Sequence, residues 1–497
     1  MKTSFVIPVF KKPEEQFNRA VKSLLTMSEK NIEVIAVFDG PDADLQPHAD
    51  KWAKKDKRFK AITIEHGGAC KARNAGTAIS TGDLVAVWDA DTYAEPEMLM
   101  MWLKTFKDNP DCDFVYSGYK FTSPDVPGFD SEPFDPWTLS KYNYIASMFP
   151  VKREKLVKWD EDLDGLQDWD FWRRISENGA KGRFIPGYGF WTELPNKDSI
   201  SGQSDKRVER IRKVKEKHGD APARILVHGT TMRRQAISIA KTLGADFFNG
   251  PFWRTEEYKM VLTMGLHPWE LTETSGVFRA CAEGTKKAIY WSGYDADNFA
   301  MAPYVQVRGL MESINKEIDY NFTMDDRTKT LLEDLGVKKT ETLVFPREPG
   351  EPAKTLPETL KVLAWADEAH RVKLQGVAQA LPDISFEMVK DDVAYNLKDY
   401  SLVLQFTNAQ KLEDSSRNAL MMGRYVISNV QEPYAGFIDD TADVTTFKNE
   451  IIQKIRELEG VKEVNAKAQE YYLQESDPQK FKDRVDACLK PVLEVVA

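Results

Sequence analysis

The stretch Gly82–Leu99, "GDLVAVWDADTYAEPEML", runs an apolar segment straight into two carboxylates, Asp89 and Asp91. Leu84 to Trp88 is apolar and β-prone, which suits a strand covered on both faces. If the chain stays extended, Asp89 and Asp91 point the same way, because strand side chains alternate with a period of two. Convergent carboxylates repel each other unless a cation or a donor network lies between them. A hard divalent ion shared with a diphosphate is one resolution. A pair of ordinary turn residues at a strand end is the other.

The segments before and after this stretch keep alternating strand with helix. "TSFVIPVF" reads as a buried strand ending at Pro8, and "EEQFNRAVKSLLTM" sets Phe17, Ala20, Val21, Leu24 and Leu25 on one helical face. "IEVIAVFDG" is a second strand closing at Asp39, "FKAITIEH" a third and "DLVAVWDAD" a fourth. The helix "PEMLMMWLKTF" follows, with Pro96 near its start. Such alternation implies a mostly parallel α/β sheet, whose ligands bind outside the carboxyl ends of the strands. Pro8, Asp39, His66 and Asp89 all fall at those ends and are expected to share one crevice.

The chain has 497 residues, enough for two to four domains, with 42% apolar and 29% charged residues. No apolar run reaches bilayer-spanning length, and the N-terminus lacks a signal-peptide pattern, so a cytoplasmic location is expected. The four cysteines (Cys70, Cys112, Cys281 and Cys488) are scattered with no CxxC pair, which excludes a zinc ribbon or disulfide framework. A net charge of −10 weighs against nucleic-acid binding through bulk charge. The basic stretch Ser204–Asp220 reads as a solvated linker helix. A fresh α/β alternation starts near Arg224, and a Pro/Glu-rich segment interrupts it near Pro346. The expected domains are 1–203, a linker 204–221, and two nucleotide-fold-like units, 222–348 and 349–497.

Four segments in order, "SFVIPVF", "VIAVFDG", "HGGACKARNAGTAISTGDLVAVWDAD" and "DGLQDWDFWRR", resemble the inverting family-two glycosyltransferases of GT-A fold over about Lys2–Gly202. The resemblance implies a nucleotide-sugar donor, most simply UDP-linked, with Mg²⁺ or Mn²⁺ as cofactor. By the same resemblance Asp39 receives the uridine, with Pro8 and Phe10 beside the base. Lys71 and Arg73 line the donor pocket. Asp91 binds the metal and Asp89 helps with metal or ribose. Asp168 is the general base that takes the acceptor hydroxyl's proton during in-line attack. Gln167 stands where relatives carry Glu, and Thr92 where many have a further acid. Trp169 is a candidate acceptor platform or a buried core residue, and Asp170 and Arg174 are supporting residues of the following helix. The metal-binding His of many relatives is replaced by Asn196, with Glu193 and Asp198 nearby.

The second half resembles a degenerate GT-B glycosyltransferase. Asn418 stands where the donor-ribose Glu is expected, and only Arg371 or Lys373 could serve as the phosphate-gripping pair. That favours a fold kept for binding and assembly over a second active site. The expected activity is sugar transfer to a hydroxyl with inversion, by a hexosyl- or pentosyltransferase. The acceptor is a glycan, a lipid-linked glycan or a protein side chain. Two alternatives are a DNA-modifying enzyme acting on hydroxymethylated bases and a non-catalytic nucleotide-sugar-binding scaffold. Retention of Asp89, Asp91 and Asp168 disfavours the scaffold, since a pure binder needs no base.

Overall fold

A computed structural model of the chain describes residues 1–123, 125–126, 128–194, 206–229, 232–248, 258–265, 278, 281, 283–301, 304–324, 326–343, 352–389, 397–407, 412, 414–475, 477–480, 482–483 and 487. Two compact units are present: Met1–Ala223 with Asp246–Phe248, and a second beginning at Arg224.

In the first unit the expected alternation is found. It runs β1 (Thr3–Val9), α1 (Glu14–Thr26), β2 (Ile32–Asp39), α2 (Gln46–Lys55), β3 (Phe59–Ile64), α3 (Ala69–Ile79) and β4 (Leu84–Val87). After these come β5 (Thr92–Ala94), α4 (Met98–Asp108), β6 (Phe114–Phe121), α5 (Pro136–Lys141), β7 (Val151–Lys152), α6 (Gln167–Glu177), β8 (Gly182–Thr192) and α7 (Arg207–Lys217). The sheet order is β3-β2-β1-β4-β7-β6-β8-β5, with β3, β2, β1 and β4 parallel.

Period-two alternation builds both layers. Phe5, Ile7 and Val9 face the main core with Phe17, Val21 and Leu24 of α1 and Leu99 and Trp102 of α4. Val6, Ile35, Val37 and Val85 face the other way, onto Ala72 of α3. Gly76 lets α3 lie directly on the sheet. A Cβ there would meet Val6 Cγ1 at 2.3 Å and Val37 Cγ2 at 2.9 Å.

Two expectations need correction. Strand β4 stops at Val87, and Asp89–Thr92 is a turn in which the Thr92 N–H donates to the Asp89 carbonyl at 3.0 Å. The two acids are therefore carried by a turn rather than by an extended strand. The basic stretch is not a solvated linker either. Val214 of α7 is fully buried in the first unit's core, and Lys217 Nζ lies 2.6 Å from Asp170 Oδ1. Arg173 holds Asp220 through contacts of 2.6 and 2.8 Å.

The second unit contains two parallel arrays. In one, Ile225–His228, Met260–Met264, Lys286–Trp291, Tyr320–Thr323 and Thr340–Thr342 lie side by side. In the other the order is Ser385–Val389, Lys361–Ala366, Leu402–Phe406, Tyr425–Ser428 and Gly436–Phe437. Val362, Leu402 and Leu404 pack with helices Glu368–Ala380 and Val444–Glu457. Leu363, Trp365 and Val403 pack on the opposite face with Asp414–Met421 and Ala466–Glu475. Arg371 and Lys373 each donate to backbone carbonyls, those of Val389 and Asp440.

Candidate active site

At the carboxyl ends of β1 and β2, Asp39, His66 and Phe10 come together, and Asp89, just past the end of β4, meets Arg73. Asp39, 3% exposed, uses both carboxylate oxygens to fix the loop before α3. Oδ1 accepts the Gly67 N–H at 2.7 Å and Oδ2 the Gly68 N–H at 2.9 Å. His66 Nδ1 lies 2.9 Å from the same Oδ2. The His66 ring stacks on Phe10, centroids 4.6 Å apart and planes 16° apart, and Phe10 stays half-exposed just past Pro8. Oδ1, with the Gly67 N–H as its partner, keeps a further lone pair for a ligand N–H. Lys71 lies along the same loop: a Cβ on Gly67 would meet its Cδ at 2.2 Å.

Arg73 links two parts of the cleft. It is 7% exposed, with its guanidinium 4.5 Å from the centroid of Trp159. Nη2 lies 3.5 Å from Asp89 Oδ1, and Nη1 donates to Gln167 Oε1 at 3.4 Å. Gln167 Nε2 in turn donates to the Leu163 carbonyl at 2.9 Å. One cation thereby spans from the Asp89–Thr92 turn to the first residue of α6.

Burial pushes the Asp89 carboxyl above its ordinary range. Arg73 and Lys12 pull it down, and the neighbouring negative charge of Asp91 pushes it up again. Asp91 is ion-paired with Lys12, from the loop between β1 and α1. Among the described residues no group of three His, Cys, Asp or Glu side chains is arranged to hold a metal. Asp89 and Asp91 are two oxygen-donor groups that could hold a Mg²⁺-like ion, whose remaining positions water and substrate phosphate oxygens would fill. Glu193 is committed elsewhere, to Arg19 and to the Thr122 hydroxyl at 2.7 Å. Asn196 and Asp198 lie outside the described residues.

Asp168 is the second residue of α6, which starts after Leu166, whose backbone is left-handed at φ 54°. Its Oδ2 accepts from Asn143 Nδ2 at 2.8 Å and its Oδ1 from the Trp169 N–H at 3.0 Å. Burial raises its carboxyl above the ordinary range, against the pull of Arg73 and these hydrogen bonds. A raised carboxyl is what a proton acceptor needs. Arg207 at the start of α7 also faces Asp168 electrostatically.

Trp169 does not form an acceptor platform. It is 2% exposed, with its indole N–H donating to the Leu139 carbonyl at 2.6 Å, so no face is open to a sugar. Asp170 is fully buried and ties α6 to the chain after it, through Arg174 at 2.6 Å, Lys217 at 2.6 Å and His218 at 3.1 Å. Burial would raise its carboxyl, but hydrogen bonds from His218, Arg174 and Lys217 outweigh that and hold it well below the ordinary range. Lys12, Asn143, Trp159 and Arg207 were missed in the sequence. None belongs to a motif, and only the fold brings them to Asp91, Asp168 and Arg73.

Residues 4–159 match the family described as Glycosyl transferase family 2. An uncharacterized glycosyltransferase of Methanocaldococcus jannaschii is 28% identical over 224 residues, which is 43% of this chain and 75% of that protein. The glucosyl-dolichyl phosphate glucuronosyltransferase of Haloferax volcanii is 30% identical over 112 residues, 22% of this chain and 36% of that protein. Among solved structures, S. aureus TarS 1-349 in complex with UDP-GlcNAc aligns with a TM-score of 0.35 at 18% identity, over 40% of this chain and 61% of that one. The chain thus spans three quarters of one relative and little more than a third of the next. Residues 4–159 of this chain are a glycosyl transferase family 2 domain.

Proposed function

We propose that the first unit transfers a sugar from a nucleoside diphosphate donor, most simply a UDP-sugar, to an acceptor hydroxyl with inversion. The observation that carries this reading is Arg73, which reaches Asp89 on one side and Gln167, next to Asp168, on the other. It supports a single cleft in which the diphosphate end and the proton-accepting end of one reaction face each other.

The base enters beside Phe10, His66 and Asp39, where a spare carboxylate lone pair accepts a ring N–H. Lys71 and Arg73 lie near the donor's phosphate oxygens, Arg suiting bidentate contact. Asp91 with Asp89 would hold Mg²⁺ or Mn²⁺, which supplies charge neutralisation of the departing diphosphate. Asp168 takes the proton of the attacking hydroxyl, with Asn143 fixing its carboxylate and burial raising its basicity. Asp170 and Arg174 hold α6 in register. The second unit serves binding and assembly, and the acceptor is a glycan, a lipid-linked glycan or a protein. Among the described residues no helix is long and apolar enough to cross a membrane. Calorimetric titration of UDP, GDP and their sugars into the full chain, with Mn²⁺ and then with chelator, tests the reading. Saturable, metal-dependent binding of one nucleotide class is expected. Its absence from every nucleotide refutes the proposal.

A further inference from the structure

Tyr119 sits on β6 where the register with β8 shifts between Tyr116 and Gly118 and again between Gly118 and Lys120. Irregularities of this kind re-aim a side chain. Phe129 pins the residue: the Tyr119 N–H donates to its carbonyl at 3.0 Å, and the Phe129 N–H donates back at 2.8 Å. Gly118 permits the approach, since a Cβ there would meet the Phe129 carbonyl oxygen at 2.6 Å. The Tyr119 ring is stacked with Phe129 (4.9 Å, 11°) and with Phe190 (5.3 Å, 12°), and Phe121 meets it edge-on at 5.5 Å. The ring is held rigidly.

Its hydroxyl is treated differently from those nearby. Tyr116 donates to the Glu132 carbonyl at 2.6 Å, Tyr142 to Glu132 Oε1 at 2.5 Å and Tyr144 to the Asp135 carbonyl at 3.1 Å. The Tyr119 hydroxyl has no hydrogen bond among the described residues. Burial raises it above its ordinary range, and the charges of Asp168 and Asp89 both add to that. It therefore lies within the field of both carboxylates. Tyr119 is only partly buried, so its hydroxyl remains accessible to a ligand that supplies a partner.

In-line transfer requires the migrating sugar to lie between the departing diphosphate, on the Asp89 side, and the attacking hydroxyl, at Asp168. We propose that the Tyr119 hydroxyl hydrogen-bonds a polar substituent of that sugar and helps select which sugar is transferred. This inference rests on the proposed function above. A rigid hydroxyl suits selection, because a site built to pair a substrate group rejects analogues that lack it.

Tyr119→Phe removes only the hydroxyl and keeps the stacked ring. Calorimetry on the full chain in Mn²⁺ compares UDP with UDP-glucose, UDP-galactose and UDP-N-acetylglucosamine, and GDP with GDP-mannose. The variant should bind the free nucleotide within about twofold of wild type, and its tightest nucleotide-sugar about 3- to 10-fold more weakly. Its preference between the two tightest sugars should narrow. Equal losses for nucleotide and nucleotide-sugar would show a merely structural role, and no loss for either would show no contact. Each result overturns the inference. Failure of the wild-type chain to bind any nucleotide refutes the donor reading itself, and the Tyr119 inference with it.

Discussion

Replacing Asp168 by Asn separates chemistry from binding, because the shape stays and proton acceptance is lost. The carboxylate accepts two hydrogen bonds, from Asn143 Nδ2 at 2.8 Å and from the Trp169 N–H at 3.0 Å. An amide has one oxygen, so one donor loses its acceptor at a cost of about 1 kcal/mol. Removing a charge that burial disfavours offsets that cost at neutral pH. Stability should therefore change little, whereas turnover should fall by a factor of about 10²–10⁴. At about 1.4 kcal/mol per tenfold, that is roughly 3–5 kcal/mol of lost transition-state stabilisation. Nucleotide affinity should stay within about twofold. Because the carboxyl is raised, the wild-type acid limb of turnover should lie above the ordinary aspartate value of about 3.9. That limb should vanish in the variant. Steady-state release of nucleoside diphosphate across pH, paired with calorimetry, reads all three. Parallel losses of nucleotide affinity and turnover, or an unchanged acid limb, would refute the assignment.

Two predictions concern stability. Glu33 is 2% exposed and bonded by Ser4, Thr81 and Lys60; burial opposes these bonds, which hold its carboxyl at about 2. Its folded-state value is depressed, so its stabilisation is present above the unfolded value of about 4.3 and is lost as pH falls towards 2. Glu33→Gln should therefore lower the thermal midpoint at pH 7 and leave it nearly unchanged near pH 2; an equal shift at both pH values contradicts the linkage. Asp170→Ala strands Arg174, Lys217 and His218 around a fully buried position. It should cost about 3–5 kcal/mol in denaturant unfolding of the full chain, and a cost under about 1 kcal/mol would contradict the role given to this network.

Much of the first unit was legible because its strands carry their burial in their composition. All eight residues of β2, Ile32–Asp39, are buried, and the apolar run reports it. The meeting of Asp39, His66 and Phe10 followed from topology, since all three lie where parallel strands end. The Asp89–Thr92 turn was not legible, because a one-residue spacing fits a strand and a turn equally well. Helix α7 was misread because Lys and Arg dominate its surface, while burial of Val214 and Arg210 depends on partners far along the chain. Trp169 is ambiguous in sequence for a related reason: an indole suits a sugar platform and a core equally, and only Leu139 decides. Tyr119 carries no motif at all. Its isolation comes from a register shift that alternation cannot encode.

The central claim is that Asp89 and Asp91 hold the diphosphate end of a sugar-transfer reaction. Release of nucleoside diphosphate from the tightest-binding nucleotide-sugar tests it most directly, comparing the full chain with its Asp89→Asn/Asp91→Asn variant in Mn²⁺. Both carboxylates keep their volume in the variant, while Arg73 and Lys12 lose their charged partners. Metal-dependent release by the wild-type chain, with release by the variant at the background rate, is the predicted result. Equal release by the two proteins, unaffected by chelator, would contradict the account.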